Sequence, residues 1–289
     1  MAVIENDQLK VTIDPKGAEL TSLYHKKFDL EYLWNADPEI WAKHSPVLFP
    51  IVGTLKDNTY FHEEDRFEMG RHGFAREKDF VEEEKSATAV SFLLTSSDET
   101  KKIYPFDFEF RIQYELRKSQ LNVTYEITNT DSDDLLFSVG GHPAFKLPLV
   151  AGTEYADYYL EFEKEESAER WPITSEGLIE IGSTPFLQNT RILPLKKELF
   201  QLDAIVFKEL ESTEVSIKSS KTPRGILFDF ADFPYLGIWA VKGADFVCIE
   251  PWCGIADSVD TNQQLGDKEG INLLGPQEIF TRTWSVECK

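Results

Sequence analysis

The sequence predicts an all-β protein made of large antiparallel sheets with few short helices. Three observations carry this expectation. The hydrophobic period is two rather than 3.6, Gly, Pro, Asp and Asn clusters cut the chain into strand-length runs, and no helical stretch is long enough to connect parallel strands. The clearest run is Phe106, Phe108, Phe110, Ile112, Tyr114 and Leu116, each separated by a polar or charged residue. After a polar break over 117–120 the alternation resumes at Leu121, Val123, Tyr125 and Ile127. Two such runs joined by a short polar connection predict a half-buried antiparallel hairpin. Further strands are expected near 8–13, 18–25, 87–94, 135–139, 157–163, 203–208, 213–218, 225–230, 235–241, 246–250 and 279–287.

Helical expectations are brief. Asp37-Pro38 has the form of an N-cap with proline at the first helical position and opens a turn or two through Trp41. Ser97-Asp98 starts a second short helix that ends before Pro105, and 194–200 is a third. No fixed-period repeat and no Ser/Gly/Pro-rich linker divides the chain, so residues 1–289 are read as one β-sandwich domain.

Composition limits the function classes. Among 289 residues, 42% are hydrophobic and 21 are Phe, enough for a sizeable core. Acids outnumber bases 51 to 30, giving a net charge of −21. So negative a chain repels phosphate backbones and anionic headgroups, which argues against nucleic-acid and membrane-surface partners. One small anionic ligand remains compatible, because it needs only a local cluster of Arg or Lys. The N-terminal stretch carries Glu5 and Asp7 where a signal peptide has a basic start and an apolar block, and no apolar run reaches membrane-spanning length. Cys248, Cys253 and Cys288 are too few and scattered for a disulfide framework, and Cys248 and Cys253 lack His or Cys companions at zinc spacing. A cytoplasmic protein with reduced thiols and no metal is the expectation.

Four settings can carry chemistry. His142 follows Gly140-Gly141 and precedes Pro143; the glycines permit unusual backbone torsions, the proline fixes the next turn, and the imidazole is either aimed into a cleft or satisfies local backbone groups. His72 lies between Arg71 and Arg76. That donor cluster either neutralises Glu63, Glu64, Asp65 and Glu68 or offers fork-shaped donors to ligand oxygens. Glu250 ends the apolar strand begun at Phe246, sharing one face with Phe246 and Cys248. A carboxylate there is either paired in a salt bridge or held at a raised pKa suited to a general base. Asp203 precedes the apolar run 204–207 and reads as an ordinary strand-start acid or a ligand contact. His25, His44 and His62 stand among charged residues and are assigned surface or structural roles.

In this order and spacing, Arg71-His72-Gly-Phe-Ala-Arg76, Gly-Gly-His142-Pro, Asp203 and Glu250-Pro-Trp resemble the aldose 1-epimerase (mutarotase) family, most closely its LacX-type branch. The segments Val11-Thr12-Ile13, Gly17-Ala18-Glu19-Leu20-Thr21-Ser22-Leu23 and Phe49-Pro50-Ile51-Val52-Gly53 fit as well, so the resemblance spans roughly 3–287. It implies a galactose mutarotase-like β-supersandwich and an isomerase that interconverts the α and β anomers of a free aldose, with a monosaccharide as its partner, as monomer or homodimer. It implies His142 as general acid and Glu250 as general base on opposite sides of the ring, with His72, Arg71, Asp203 and Arg76 as substrate contacts. Ring opening and closing involves neither redox change nor hydrolysis, so no cofactor or metal is called for. The acidic protein field is expected to favour a charged His142. Thr54 stands where many members carry a substrate-binding Arg, with Lys56 and Arg76 as candidate replacements. The departure leaves the sugar open. A hexose-6-phosphate mutarotase and a non-catalytic carbohydrate-binding protein are the alternative readings.

Overall fold

A computed structural model describes all residues, Met1–Lys289, and its two largest sheets are antiparallel in every ladder. The larger has nine strands, ordered Thr190–Pro194, Tyr158–Glu166, Glu214–Ser219, Ile226–Asp229, Ile279–Cys288, Gln120–Asn129, Phe108–Arg117, Ala89–Thr95 and Val81–Lys85. The second runs Ile205–Phe207, Tyr235–Trp239, Phe246–Cys253, Val139–Gly141 and Val47–Leu48, with Ala144–Lys146 also on Phe246–Cys253. A four-stranded sheet of Ala2–Glu5, Leu9–Asp14, Glu19–His25 and Leu30–Glu31 completes the main framework.

The alternating hairpin forms as its pattern predicts. Phe108–Arg117 and Gln120–Asn129 pair from Phe108↔Asn129 to Arg117↔Gln120, and their burial alternates residue by residue. Lys118 supplies the left-handed turn at φ 57°. Strand Phe246–Cys253 is instead buried on both faces, as its apolar run requires.

Helix is scarce. The only α-helix is Asp98–Lys101, closed by a capping box in which Ser97 accepts from the Thr100 N–H and Thr100 reaches back to the Ser97 N–H. Asp37 opens a single turn rather than a helix, accepting from the Ile40 and Trp41 N–H groups. Within 194–200 only Lys197–Phe200 is helical, as a 3-10 turn, because Pro194 ends a strand. The strand expected at 135–139 divides at Ser138: Leu135–Phe137 pairs with Asn272–Leu274, whereas Val139–Gly141 enters the sheet that holds Phe246–Cys253. No helix is long and apolar enough to cross a membrane.

One hydrophobic cluster runs from Ala2 to Cys288 and is rich in phenylalanine. Phe49 is fully buried and touches the rings of Phe74, Tyr104, Phe108, Phe110 and Phe137. Deleting a ring so enclosed typically destabilises by about 3–5 kcal/mol. This packing anchors the segment 49–53, which leads straight into the site.

Candidate active site

Strand register brings the two leading candidates together. Gly140 pairs with Trp252 and Ala144 with Cys248. The same register places His142 opposite Glu250, at a point where the ladder is interrupted and the side chains are free to meet. His142 Nε2 lies 3.3 Å from Glu250 Oε2, with side chains 8% and 2% exposed. On the other side of the strand, Glu250 pairs with Gly237, whose missing side chain makes room for Trp252: an added Cβ would stand 2.5 Å from Trp252 Cζ2. The expectation that the two groups face each other across a ring-sized gap is therefore corrected. They are in contact, because opposed residues of antiparallel strands share one face of the sheet.

The glycines before His142 also act differently from expectation. Gly140 and Gly141 do not adopt positive φ. They provide space: a Cβ at Gly140 would lie 2.7 Å from Trp252 Cδ1, and one at Gly141 2.8 Å from the Tyr125 hydroxyl.

A cavity of about 350 Å³ opens above the pair, at the lower end of the roughly 300–1,000 Å³ of small-molecule sites. All six residues singled out in the sequence line it: Arg71, His72, Arg76, His142, Asp203 and Glu250. His25, His44 and His62 do not. His72 is held by the loop that crosses 49–53: its N–H donates to the Gly53 carbonyl, and its Nδ1 accepts the Gly53 N–H at 3.1 Å. Because Nδ1 accepts, the neutral imidazole carries its proton on Nε2 and presents a donor there. His72 and Asp203 have left-handed backbones, at φ 68° and 69°. Such strain in non-glycine residues persists where surrounding contacts enforce it. Asp203 Oδ1 accepts the Ala204 N–H, and Oδ2 meets Arg71 Nη2 at 3.5 Å. Arg76 donates to the Arg71 carbonyl at 2.9 Å. The two arginines thus serve the cavity instead of neutralising the acids of 63–68. Lys56 turns away, its ammonium bonded to the Val259 carbonyl, so Arg71 and Arg76 are the guanidinium groups at this site.

Three tryptophans that sequence reasoning did not select complete the walls: Trp41, Trp239 and Trp252. Trp41 stacks on His142 with ring centroids 5.1 Å apart, and Trp239 meets it edge-on at 5.4 Å. Trp41 is far in sequence from the other two, which sit on the paired strands Tyr235–Trp239 and Phe246–Cys253; Trp252 entered the sequence reading only as part of the Glu250-Pro-Trp motif, not as a wall of the site. The segment around Ile173, Gly177 and Ile179 closes a further side. There Gly177, at φ +86°, packs on Thr54, and an added Cβ would stand 2.5 Å from Thr54 Oγ1. Gly177→Ala is expected to displace this wall, raising KM severalfold and, because Ala is strained at this φ, lowering Tm as well, as steady-state kinetics and thermal melts will read.

Burial governs the electrostatics. It pushes the Glu250 carboxyl well above its ordinary value, against smaller downward effects of Arg71 and of the nearby Trp252 indole, which forms no well-shaped hydrogen bond. It pushes His142 and His72 well below theirs, and Arg71 and Arg76 add to both shifts. The expectation of a charged His142 is thereby corrected: desolvation and two neighbouring guanidiniums outweigh the acidic surface. Histidines held neutral in the fold stabilise it above their unfolded pKa near 6.5, and that contribution is lost as pH falls. Stability should drop by up to roughly 1.4 kcal/mol per pH unit for each histidine below that point. Denaturant melts from pH 7 to 4 measure this, and His72→Asn should flatten the slope.

Of the six buried side-chain polar atoms without a partner, Arg76 Nε, His142 Nδ1 and Trp252 Nε1 belong to residues lining this cavity, and Thr54 Oγ1 lies beneath Gly177. Buried polar groups are ordinarily satisfied, so these atoms carry hydrogen-bonding capacity that the protein itself does not use.

The sheets are those of a galactose mutarotase-like protein. Residues 1–265 match the family model described as aldose 1-epimerase, and the chain belongs to that family. It is 35% identical to the plasmid and chromosomal LacX proteins of Lactococcus lactis subsp. lactis, over 98% of this chain and 97% of theirs. The solved structure of a galactose mutarotase related enzyme from Lactobacillus acidophilus matches with TM-score 0.96 at 35% identity, covering 100% of this chain and 97% of that one. A galactose mutarotase-like protein from Lactobacillus casei gives 0.94 at 31% identity, with full coverage of both.

Proposed function

We propose that the protein is an aldose 1-epimerase that interconverts the anomers of a free aldose, with Glu250 as general base and His142 as general acid. The observation that carries the reading is the buried pair 3.3 Å apart at the floor of a small cavity walled by aromatic rings and guanidinium groups. Anomerisation requires a proton taken from the hydroxyl on C1 and a proton given to the ring oxygen. Both oxygens are bonded to the same carbon, so adjacent groups suit the task and groups on opposite sides of the ring are unnecessary.

The proton inventory also balances. Burial pushes His142 towards its neutral form and Glu250 towards its protonated form, and in those forms the pair carries one exchangeable proton. Carboxylate with imidazolium carries the same number, so sugar binding needs only to move that proton from Glu250 to His142. Sugar hydroxyls donating to the carboxylate and the positive charge of Arg71 both favour the transfer. Glu250 then removes the O1 proton while His142 protonates O5, the C1–O5 bond opens, C1–C2 rotates, and the reverse transfers close the ring on the other face. His72, Arg71, Asp203 and Arg76 hold the remaining hydroxyls, and Trp41, Trp239 and Trp252 pack against the ring. The reading places the reaction in the cytoplasm, in keeping with three unpaired cysteines.

Polarimetry of freshly dissolved α-glucose and α-galactose tests the activity. Catalysed equilibration supports it; saturable sugar binding without acceleration would instead define a carbohydrate-binding protein. A hexose 6-phosphate is the second substrate reading, favoured by the two guanidiniums in the cavity and by the half-exposed Arg71 side chain. A strong rate preference for glucose 6-phosphate over glucose selects it.

A further inference from the structure

The fold gives Cys248 companions that its sequence neighbours lack. It lies two residues before Glu250 on the same strand face, while His142 approaches from the neighbouring segment. Ligand atoms of His142, Cys248 and Glu250 all lie within 4.8 Å of one another, and all three residues are buried. Zn–N and Zn–O bonds give a tetrahedral edge of roughly 3.3–3.6 Å, which the His142–Glu250 separation of 3.3 Å already matches. The Cys248 sulfur lies within 4.8 Å of both, against the edge of roughly 3.6 Å that a Zn–S and a Zn–N bond define, so metal binding requires it to draw closer.

We propose that His142, Cys248 and Glu250 form a binding site for a thiophilic divalent cation of the zinc class, and that the cation switches the enzyme off. One imidazole, one thiolate and one carboxylate with a fourth position open to the cavity is a donor set suited to zinc. Coordination forms the metal–sulfur, metal–oxygen and metal–nitrogen bonds as the Sγ proton and the one proton shared by Glu250 and His142 leave to solvent, with no change of oxidation state. The bound ion occupies both the acid and the base, so it excludes productive sugar binding. This inhibitory consequence rests on the acid–base reading above; the coordination itself does not.

Cadmium provides a probe independent of activity, because its thiolate complex has an ultraviolet charge-transfer band. The acidic surface binds divalent ions loosely, yet it contributes no such band. Titration of the full-length protein with Cd²⁺ should produce the band at one equivalent, retained in Cys253→Ala and Cys288→Ala and absent from both Cys248→Ala and Cys248→Ser. His142→Ala and Glu250→Gln should each weaken Cd²⁺ binding by at least about tenfold. Zn²⁺ should inhibit anomerisation in competition with sugar, a chelator should restore it, and Cys248→Ala should be at least tenfold less sensitive. Absence of the band, or its survival in both Cys248 variants, overturns the site. A Cys248-dependent band in a protein without epimerase activity upholds the site and defeats only the functional reading.

Discussion

Replacing Glu250 with Gln is expected to lower kcat for anomerisation by about 10²–10⁴-fold, the usual worth of one positioned proton transfer. Gln keeps the shape of the side chain and its place opposite His142, but it cannot accept the O1 proton. His142→Ala should have a similar effect, since no other imidazole stands beside Glu250; His72 faces His142 at a centroid distance of 5.8 Å and is tied to Gly53 through Nδ1. The double variant should be nearly as active as either single one, because the two groups share a single proton. Glu250→Gln also carries a stability signature. A carboxyl whose folded pKa is raised supports the fold fully below its ordinary value and loses that support as pH rises through the folded value. Relative to wild type, Glu250→Gln should therefore gain stability between pH 4.5 and the folded pKa. Low activity combined with this gain separates loss of a base from simple misfolding.

Lys268→Ala is expected to destabilise the protein by about 3–5 kcal/mol, by leaving a buried carboxylate without its cation. Lys268 Nζ and Asp257 Oδ1 lie 2.8 Å apart, with side chains only 2% and 3% exposed. Asp257 joins several parts of the cavity wall: its other oxygen accepts the Lys56 N–H, its N–H donates to Thr54, and its carbonyl accepts from Ile179. The loss should therefore appear both as a lower denaturant midpoint and as a raised KM. Replacing both partners with apolar residues, as in Lys268→Met with Asp257→Leu, should recover much of the stability, because neither member is then left buried and charged.

The all-β class was legible because long strands with one buried face repeat every second residue, as the hairpin 108–129 shows. Strand Val81–Lys85 escaped notice because all five of its residues are exposed, so no alternation exists to be read. The hairpin of Thr59–His62 and Asp65–Glu68 was hidden for a different reason: its turn uses Glu63 at φ 54° in place of the expected glycine or asparagine. In the site, Glu250 stood out as a charge after an apolar run, although its strand does not end there as expected but continues to Cys253, and His142 stood out as a polar residue beside two glycines. Their contact follows from strand pairing across more than a hundred residues. Cys248 became their neighbour by that same pairing. The burial that reversed the expected charge of His142 was equally invisible, since it is assembled from Trp41, Trp239 and Phe246 packing around one another.

The most direct measurement is a crystal structure of Glu250→Gln with its preferred sugar bound. The account predicts O5 within hydrogen-bonding distance of His142 Nε2 and O1 beside the side-chain amide introduced in place of the Glu250 carboxylate. A sugar whose anomeric carbon points away from both positions, or one bound outside this cavity, would contradict it.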